Sequence, residues 1–363
     1  MPQILTFLGQ SRSACAIASI AFAQRLAQQG ARTLWVTQDS GPLPGVLWGQ
    51  ALTPEAQPVK GNLWALQLQA AALLEQSWDL VKTLEAQYLR NPLLKQVFGQ
   101  ELAILPGMED ALTLDALRGL YDSQQYDYLV YDGIAGKATL RMWGLPEHMD
   151  WYVRRFQKVL AESDLARALS PFLQPIAGAV LNISGSPESV NQPVQQARSF
   201  LEAGRLVVQS REHMVGFLVT TAEPADVAMT RYLWGSSQQI GLTVAGAIAY
   251  GTPNVAADTF APLPLSPLPA LAGDQWSPLV EAVPAVAAAA QAAPAAMVIN
   301  EAEQQVRLFL PGFTKADIAL TQYGPEVTIT AGDQRRNLAL PATLKNRPVQ
   351  GAKFQDESLI LTF

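Results

Sequence analysis

Gly9, Arg12, Ser13, Asp39 and Asp132 are the residues whose types and positions could do chemistry together. That chemistry is the binding of a phosphate group. The apolar run Gln3-Ile-Leu-Thr-Phe-Leu8 stops at Gly9, and Gln10-Ser-Arg-Ser-Ala-Cys-Ala16 then leads into a stretch of small residues. At such a strand-to-helix junction a glycine lets backbone N–H groups crowd an anion, and the helix N-terminus adds partial positive charge. Gly9, Arg12 and Ser13 are the candidate phosphate contacts, with Arg12 as the cation. Asp39, closing a second apolar run, and Asp132, closing Tyr126-Asp-Tyr-Leu-Val-Tyr-Asp132, are candidates to hold Mg2+ or a water. Each has a plainer role as an acidic strand terminus that caps the following helix. Only one glycine stands in the junction, and no lysine occurs before Lys60. A triphosphate would find little backbone access and little positive charge there.

Other reactive types carry less. Cys15 lies in a run of Ala and Ile and reads as a small packing residue. A single Cys excludes an internal disulfide and any cluster of thiolates within the chain, so no metal is expected. His148 and His213 have no companions at ligand spacing, and Lys137 reads as an exposed loop lysine. With 25 Lys and Arg against 31 Asp and Glu the chain is acidic, and without a basic run it is not expected to bind nucleic acid. The Ala-rich stretch 283–294 is broken by Pro284, Gln291 and Pro294, so no membrane span is expected. Met1 to Leu8 carries no cation, so no secretory leader is expected either. The expected location is the cytoplasm.

These residues need a scaffold. With 363 residues, 49% of them hydrophobic, the chain is sized for one large and one small domain. Strands are expected at 3–9, 32–37, 126–132, 213–221 and 242–250, and helices at 14–26, 190–202 and 225–240. This alternation predicts a doubly wound α/β domain over 1–251 with a parallel sheet. Leu63, Leu66, Leu73, Leu74, Trp78, Val81, Leu84, Tyr88 and Leu89 are spaced as a helical stripe over 62–105. A second helical block is expected from Pro146 to Leu173. Helical insertions are therefore assigned to about 62–120 and 146–205. Frequent proline with much alanine predicts an extended linker over 252–297. Period-two apolar residues after it predict a small all-β sandwich over 298–363.

Several motifs, taken together, give a resemblance. Phe7-Leu-Gly9 with its small-residue helix, Leu105-Pro-Gly-Met-Glu-Asp-Ala111 and Thr139-Leu-Arg-Met-Trp-Gly-Leu-Pro-Glu147 resemble the ArsA-like ATPases. That family includes the arsenite-pump subunit and the guided-entry targeting factor for tail-anchored proteins. The resemblance implies a P-loop NTPase-like fold over Met1 to about Gly251, with ATP and Mg2+ bound if the site works. It also implies that Asp39 matches the switch-one aspartate and Asp132 the Walker B acid. The family's loop has the form Lys-Gly-Gly-x-Gly-Lys-Thr. Here Gln10 and Cys15 stand for the lysines, Ser11, Arg12 and Ala14 for the glycines, and Ala16 for the metal-binding hydroxyl. The Walker A loop is degenerate. Arg307-Leu-Phe-Leu-Pro-Gly-Phe313 and Phe354-Gln-Asp-Glu-Ser-Leu-Ile-Leu361 resemble the small heat-shock (α-crystallin) fold, as appended in the cyanobacterial and chloroplast branch.

In the targeting relatives, helices of two subunits form an apolar groove for a client. By that resemblance Trp64, Leu68, Leu74, Trp78, Val81 and Leu94 are groove candidates, although the same stripe could pack on the protein's own sheet. The resemblance also implies a homodimer, or a heterodimer with a paralogue, and a hydrophobic client protein. Three functions remain open. The first is a pseudo-ATPase acting as a chaperone-like or regulatory binding module, with no cofactor. The others are a working ATPase coupled to client targeting and a non-catalytic partner of an active paralogue.

Overall fold

The computed structural model describes residues 1–88, 97–162, 191–251, 255–338 and 340–363. Its central sheet has eight strands. They are β1 (Gln3–Leu8), β2 (Thr33–Thr37), β3 (Gln57–Lys60), β4 (Leu63–Gln67), β5 (Tyr128–Asp132), β6 (Met214–Thr220), β7 (Val244–Gly251) and β8 (Leu265–Pro269). The order across the sheet is β3-β4-β2-β5-β1-β6-β7-β8. Every pairing is parallel except β3 with β4. The chain moves from β1 outward to β2 on one side and later returns to β6 on the other. This reversal leaves a crevice at the carboxyl ends of β1, β5 and β2, where a doubly wound fold places its site.

Helix α1 (Arg12–Gln28) follows β1 and is apolar nearly all round, with Ala14 to Ala23 and Leu26 buried. A helix with no polar face must be covered on both sides. The sheet covers one side, where Phe22 packs on Phe7 and Phe217 with ring centroids 5.0 and 4.7 Å apart. The other cover comes from the stretch expected to be a linker. Instead of a tether, it holds β8, α8 (Ser277–Ala282) and α9 (Val286–Ala292). Leu279, Val283, Val286, Ala289 and Ala290 join the same buried cluster as α1. The prolines of β8 are tolerated because it is an edge strand, where a missing N–H costs least.

The remaining helices are α2 (Leu43–Trp48), α3 (Ala70–Tyr88), α4 (Met108–Asp122), α5 (Gly136–Glu162), α6 (Asn191–Gln209) and α7 (Pro224–Gln239). Two further sequence expectations need correction. The helical block assigned from 62 begins as strand β4, because the buried Leu63, Ala65 and Leu66 pair in parallel with β2. Helix α5 starts at Gly136, ten residues before the expected Pro146, which lies inside it. The part of that helix expected beyond 162 lies outside the described residues.

The chain divides into two compact units. One comprises Met1–Gln67, Gln124–Trp143 and Val207–Phe363, and the other Leu68–Ser123 with Gly144–Leu206. Within the first unit, the C-terminal residues form two antiparallel sheets. One contains β14 (Gly351–Gln355), β15 (Ser358–Thr362), β10 (Gln305–Phe309) and β9 (Met297–Asn300), in that order. The other contains β11 (Ile318–Tyr323), β12 (Glu326–Ala331) and β13 (Gln334–Leu338). Val306, Leu308, Val327, Ile329, Leu359 and Leu361 alternate inward to make its core.

Candidate functional site

The junction after β1 is short. Leu8 ends the strand, Arg12 begins the helix, and only Gly9, Gln10 and Ser11 lie between them. Ser11 is the N-cap, with extended backbone (φ −75°, ψ 108°), and its hydroxyl accepts a hydrogen bond from Ala14 N–H at 3.4 Å. The Cys15 N–H donates to the Ser11 carbonyl at 3.0 Å, as in a regular first turn. Residues 12 to 15, which the resemblance aligns with the later half of a phosphate-wrapping loop, are therefore helix.

Arg12 occupies the crevice. Its Nη1 and Nη2 donate to the two carboxylate oxygens of Asp132 at 2.7 and 2.5 Å, a bidentate fork. Nη2 also lies 3.3 Å from Asp39 Oδ2. Adjacent strand ends bring these groups together, since Thr37 and Asp132 are register partners on β2 and β5. The Thr37 hydroxyl donates to Asp132 Oδ2 at 2.9 Å and accepts from Asp39 N–H at 3.1 Å. Asp39 Oδ1 accepts from Gly41 N–H at 2.8 Å, and Gln67 Nε2 donates to the carbonyls of Asp39 and Gly41 at 2.7 and 3.0 Å. Asp132 has no exposure to water.

Burial opposes charge on Arg12, but the Asp132 carboxylate, its hydrogen bonds and Asp39 more than offset this and push the guanidinium up. Burial pushes the Asp132 carboxyl up, while Arg12 and the Thr37 hydroxyl pull it back. Formally the cluster carries one positive and two negative charges. A polyanion approaching it meets a cation already committed and one carboxylate in excess.

Of the sequence candidates, Arg12, Asp39 and Asp132 converge here and Gly9 supplies the turn. Ser13 is exposed and reaches only the Ser11 hydroxyl, 3.4 Å away, so it takes no part in the cluster. Cys15 is buried, and burial raises its thiol to about 12. Lys137 lies with its Nζ 4.7 Å from the Tyr232 ring centroid. His148 and His213 are half-buried. Among the described residues no group of three or more His, Cys, Asp or Glu is placed to hold a metal ion. No helix among them is long and apolar enough to cross a membrane.

The groove candidates separate. Trp64 lies in β4 against Tyr126, with ring centroids 5.6 Å apart, and Leu68 is buried just past that strand. Leu74 on α3 is buried, and Trp78 on the same helix donates from Nε1 to the Val97 carbonyl at 3.0 Å. Leu94 and the Val81 side chain lie outside the described residues. Thr37 and Gln67, which hold the two aspartates, are not among the sequence candidates. The only signal for Thr37 was a hydroxyl at the end of a strand that neighbours β5.

Comparison with known proteins gives a family. The profile described as "Anion-transporting ATPase" matches residues 8–248, and that described as "HSP20-like domain found in ArsA" matches 301–363. A putative arsenical pump-driving ATPase of Chlorobaculum tepidum is 27% identical over 228 residues, 63% of this chain and 56% of that protein. A protein of the same description from Prosthecochloris vibrioformis shows the same identity and coverage. The chain thus spans little more than half the length of these two relatives. An uncharacterized protein of Streptomyces coelicolor is 25% identical over 364 residues, 93% of this chain and 91% of its own length.

Proposed function

The chain belongs to the ArsA anion-transporting ATPase family and carries an HSP20-like domain, and from that premise we propose that it is a pseudo-ATPase. It acts as a protein-binding module, chaperone-like or regulatory, in place of a nucleotide-driven pump or carrier. One observation carries the reading: Arg12 is forked onto Asp132 in the crevice where the family's loop would hold phosphate. A bound triphosphate needs free cations, exposed backbone N–H groups and an acid free to hold Mg2+. Here the cation and the acid neutralise one another, and a capped helical turn replaces the loop. The residues present therefore do not fit ATP with Mg2+.

In this reading the Arg12 clasp replaces the nucleotide as a structural pin, tying the ends of β1, β2 and β5 together from within the chain. The HSP20-like domain supplies the binding role, alone or in a dimer with a second copy or an active paralogue. Calorimetric titration with ATP or ADP plus Mg2+ tests the central claim. No heat of binding is expected at micromolar nucleotide. Micromolar binding that disappears in Arg12→Ala would overturn it, because Arg12 would then be a ligand-binding cation.

A further inference from the structure

We propose that docking of the HSP20-like domain and closure of the Arg12 clasp are coupled, so that the C-terminal domain acts as a conformational latch on the β1–α1 junction. The proposal rests on the clasp being the junction's resident occupant, as above. The route is contiguous. Four residues after Asp132, Gly136 begins α5 in a space with no room for a side chain. A β-carbon there would lie 2.5 Å from Leu233 Cδ1 on α7 and 3.2 Å from the Gly9 carbonyl oxygen. Gly136 is therefore pressed between the junction and α7.

Helix α7 in turn carries the C-terminal domain. The Tyr232 hydroxyl donates to Asp333 in the β12–β13 turn at 2.5 Å, and Arg141 on α5 donates to the same carboxylate at 2.9 Å. Lys137, between Gly136 and Arg141, lies over the Tyr232 ring. Arg231 pairs with Glu357, whose carboxylate also accepts from Gly312 N–H. Asp333 thus holds both the first turns of α5 and the face of α7 that presses on it.

The docking is close, with polar groups at its edge. A β-carbon on Gly235 would overlap the Pro311 carbonyl and lie 2.6 Å from the Phe313 ring, so the surfaces meet only because this residue is glycine. Yet Gln238 and Gln239, on the helix carrying the contact, are buried with both side-chain amide atoms lacking a protein partner among the described residues. Unsatisfied buried amides cost stability where they lie. The contact also holds Tyr232 against Phe313 and Trp234 against Phe309, ring centroids 5.3 Å apart in each, and Arg336 donates to the Gln238 carbonyl at 2.9 Å. Asp333 and Glu357, each about a third exposed, are therefore the part of it that can be cut without touching either core.

Hydrogen exchange by mass spectrometry on the full chain tests the coupling. Gly235→Leu wedges the surfaces apart, and the double variant Asp333→Ala/Glu357→Ala cuts both latches without altering either core. Both are expected to speed exchange at residues 307–313 and 331–336. They should also speed it at 9–14 and 133–139, by about tenfold, within the usual range for coupled sites. β6 and β7 should stay protected. Faster exchange at the contact with 9–14 unmoved would overturn the coupling, and no change anywhere would overturn the latch. Should Gly235→Leu lose protection in β6 and β7, it has failed to fold and the double variant decides. Nucleotide titration of the unaltered chain bears on the pseudo-ATPase reading alone, so the two can fail separately.

Discussion

An arginine grips a carboxylate in two places that differ chiefly in their access to water. At the β1–α1 junction Arg12 holds Asp132, which is fully buried, through two hydrogen bonds. At the docking contact Arg141 holds Asp333 with 64% and 33% of their side chains exposed. Removing one partner of a buried pair strands an uncompensated charge, whereas an exposed partner is rehydrated. The first pair is therefore expected to behave as structure and the second as a switch.

Arg12→Met should show the largest effect. It leaves Asp132 buried without its cation and should cost about 3–5 kcal/mol in urea unfolding. A loss below about 1 kcal/mol would put this pair in the class of surface bridges and erase the contrast. Replacing both partners, as in Arg12→Met/Asp132→Leu, should recover much of the loss, because no charge is then stranded. Cys15 sharpens the same point. With its thiol pushed up to about 12 by burial, with Asp132 adding to the shift and Arg12 opposing it, on the order of one part in ten thousand is thiolate at pH 8. A disulfide reagent should leave it untouched in the native chain and label it in Arg12→Met because the unclasped junction opens to water, even though loss of the Arg12 charge by itself pushes the buried thiol higher still. Prompt labelling of the native chain would show that the junction opens with the clasp intact.

What could be read from the sequence follows the range of the interactions. The strand ending at Asp132, the turn at Gly9 and the C-terminal alternation are set by neighbours a few residues apart. The pairing of Arg12 with Asp132 spans 120 positions and depends on β5 lying beside β1, which no local pattern encodes. Missing lysines pointed to a weakened anion site with Arg12 as its cation, but not to the pairing of that arginine with Asp132. Leu63-Trp-Ala-Leu-Gln67 fits a helical stripe as well as a short buried strand, and only pairing with β2 decides. The proline-rich stretch misled for a related reason. Proline predicts a tether only where no sheet edge is free to accept a short strand, and β7 offered one.

Between the two extremes stands Arg231, which pairs with Glu357 and donates to the Thr259 carbonyl while about a quarter exposed. Arg231→Ala should cost about 1–2 kcal/mol, more than an open surface pair and less than the clasp. A loss as large as that of Arg12→Met would mean that the docking contact is part of the folding core and not a separable latch. The urea midpoint and slope of the two variants, measured side by side, make the comparison.

Asp333 should show the smallest effect on stability and the clearest dependence on conditions. Burial pushes its carboxyl up, but the Tyr232 hydroxyl and Arg141, with Lys137 nearby, hold it below its ordinary value of 3.8. These three, from α5 and α7, are the titratable or charged groups that act on it. Because the folded value is the lower one, the contribution is complete above about pH 5 and is lost as pH falls through the folded value. Asp333→Ala should cost about 0.5 kcal/mol or less at low salt, and less still in molar salt. Protection at 331–336, corrected for the intrinsic exchange rate at each pH, should fall from pH 5 to pH 3 in the native chain and stay flat in Asp333→Ala. A fall of equal size in both would assign the acid sensitivity to other carboxylates. The same fall at 9–14 would tie this weak surface contact to the buried clasp.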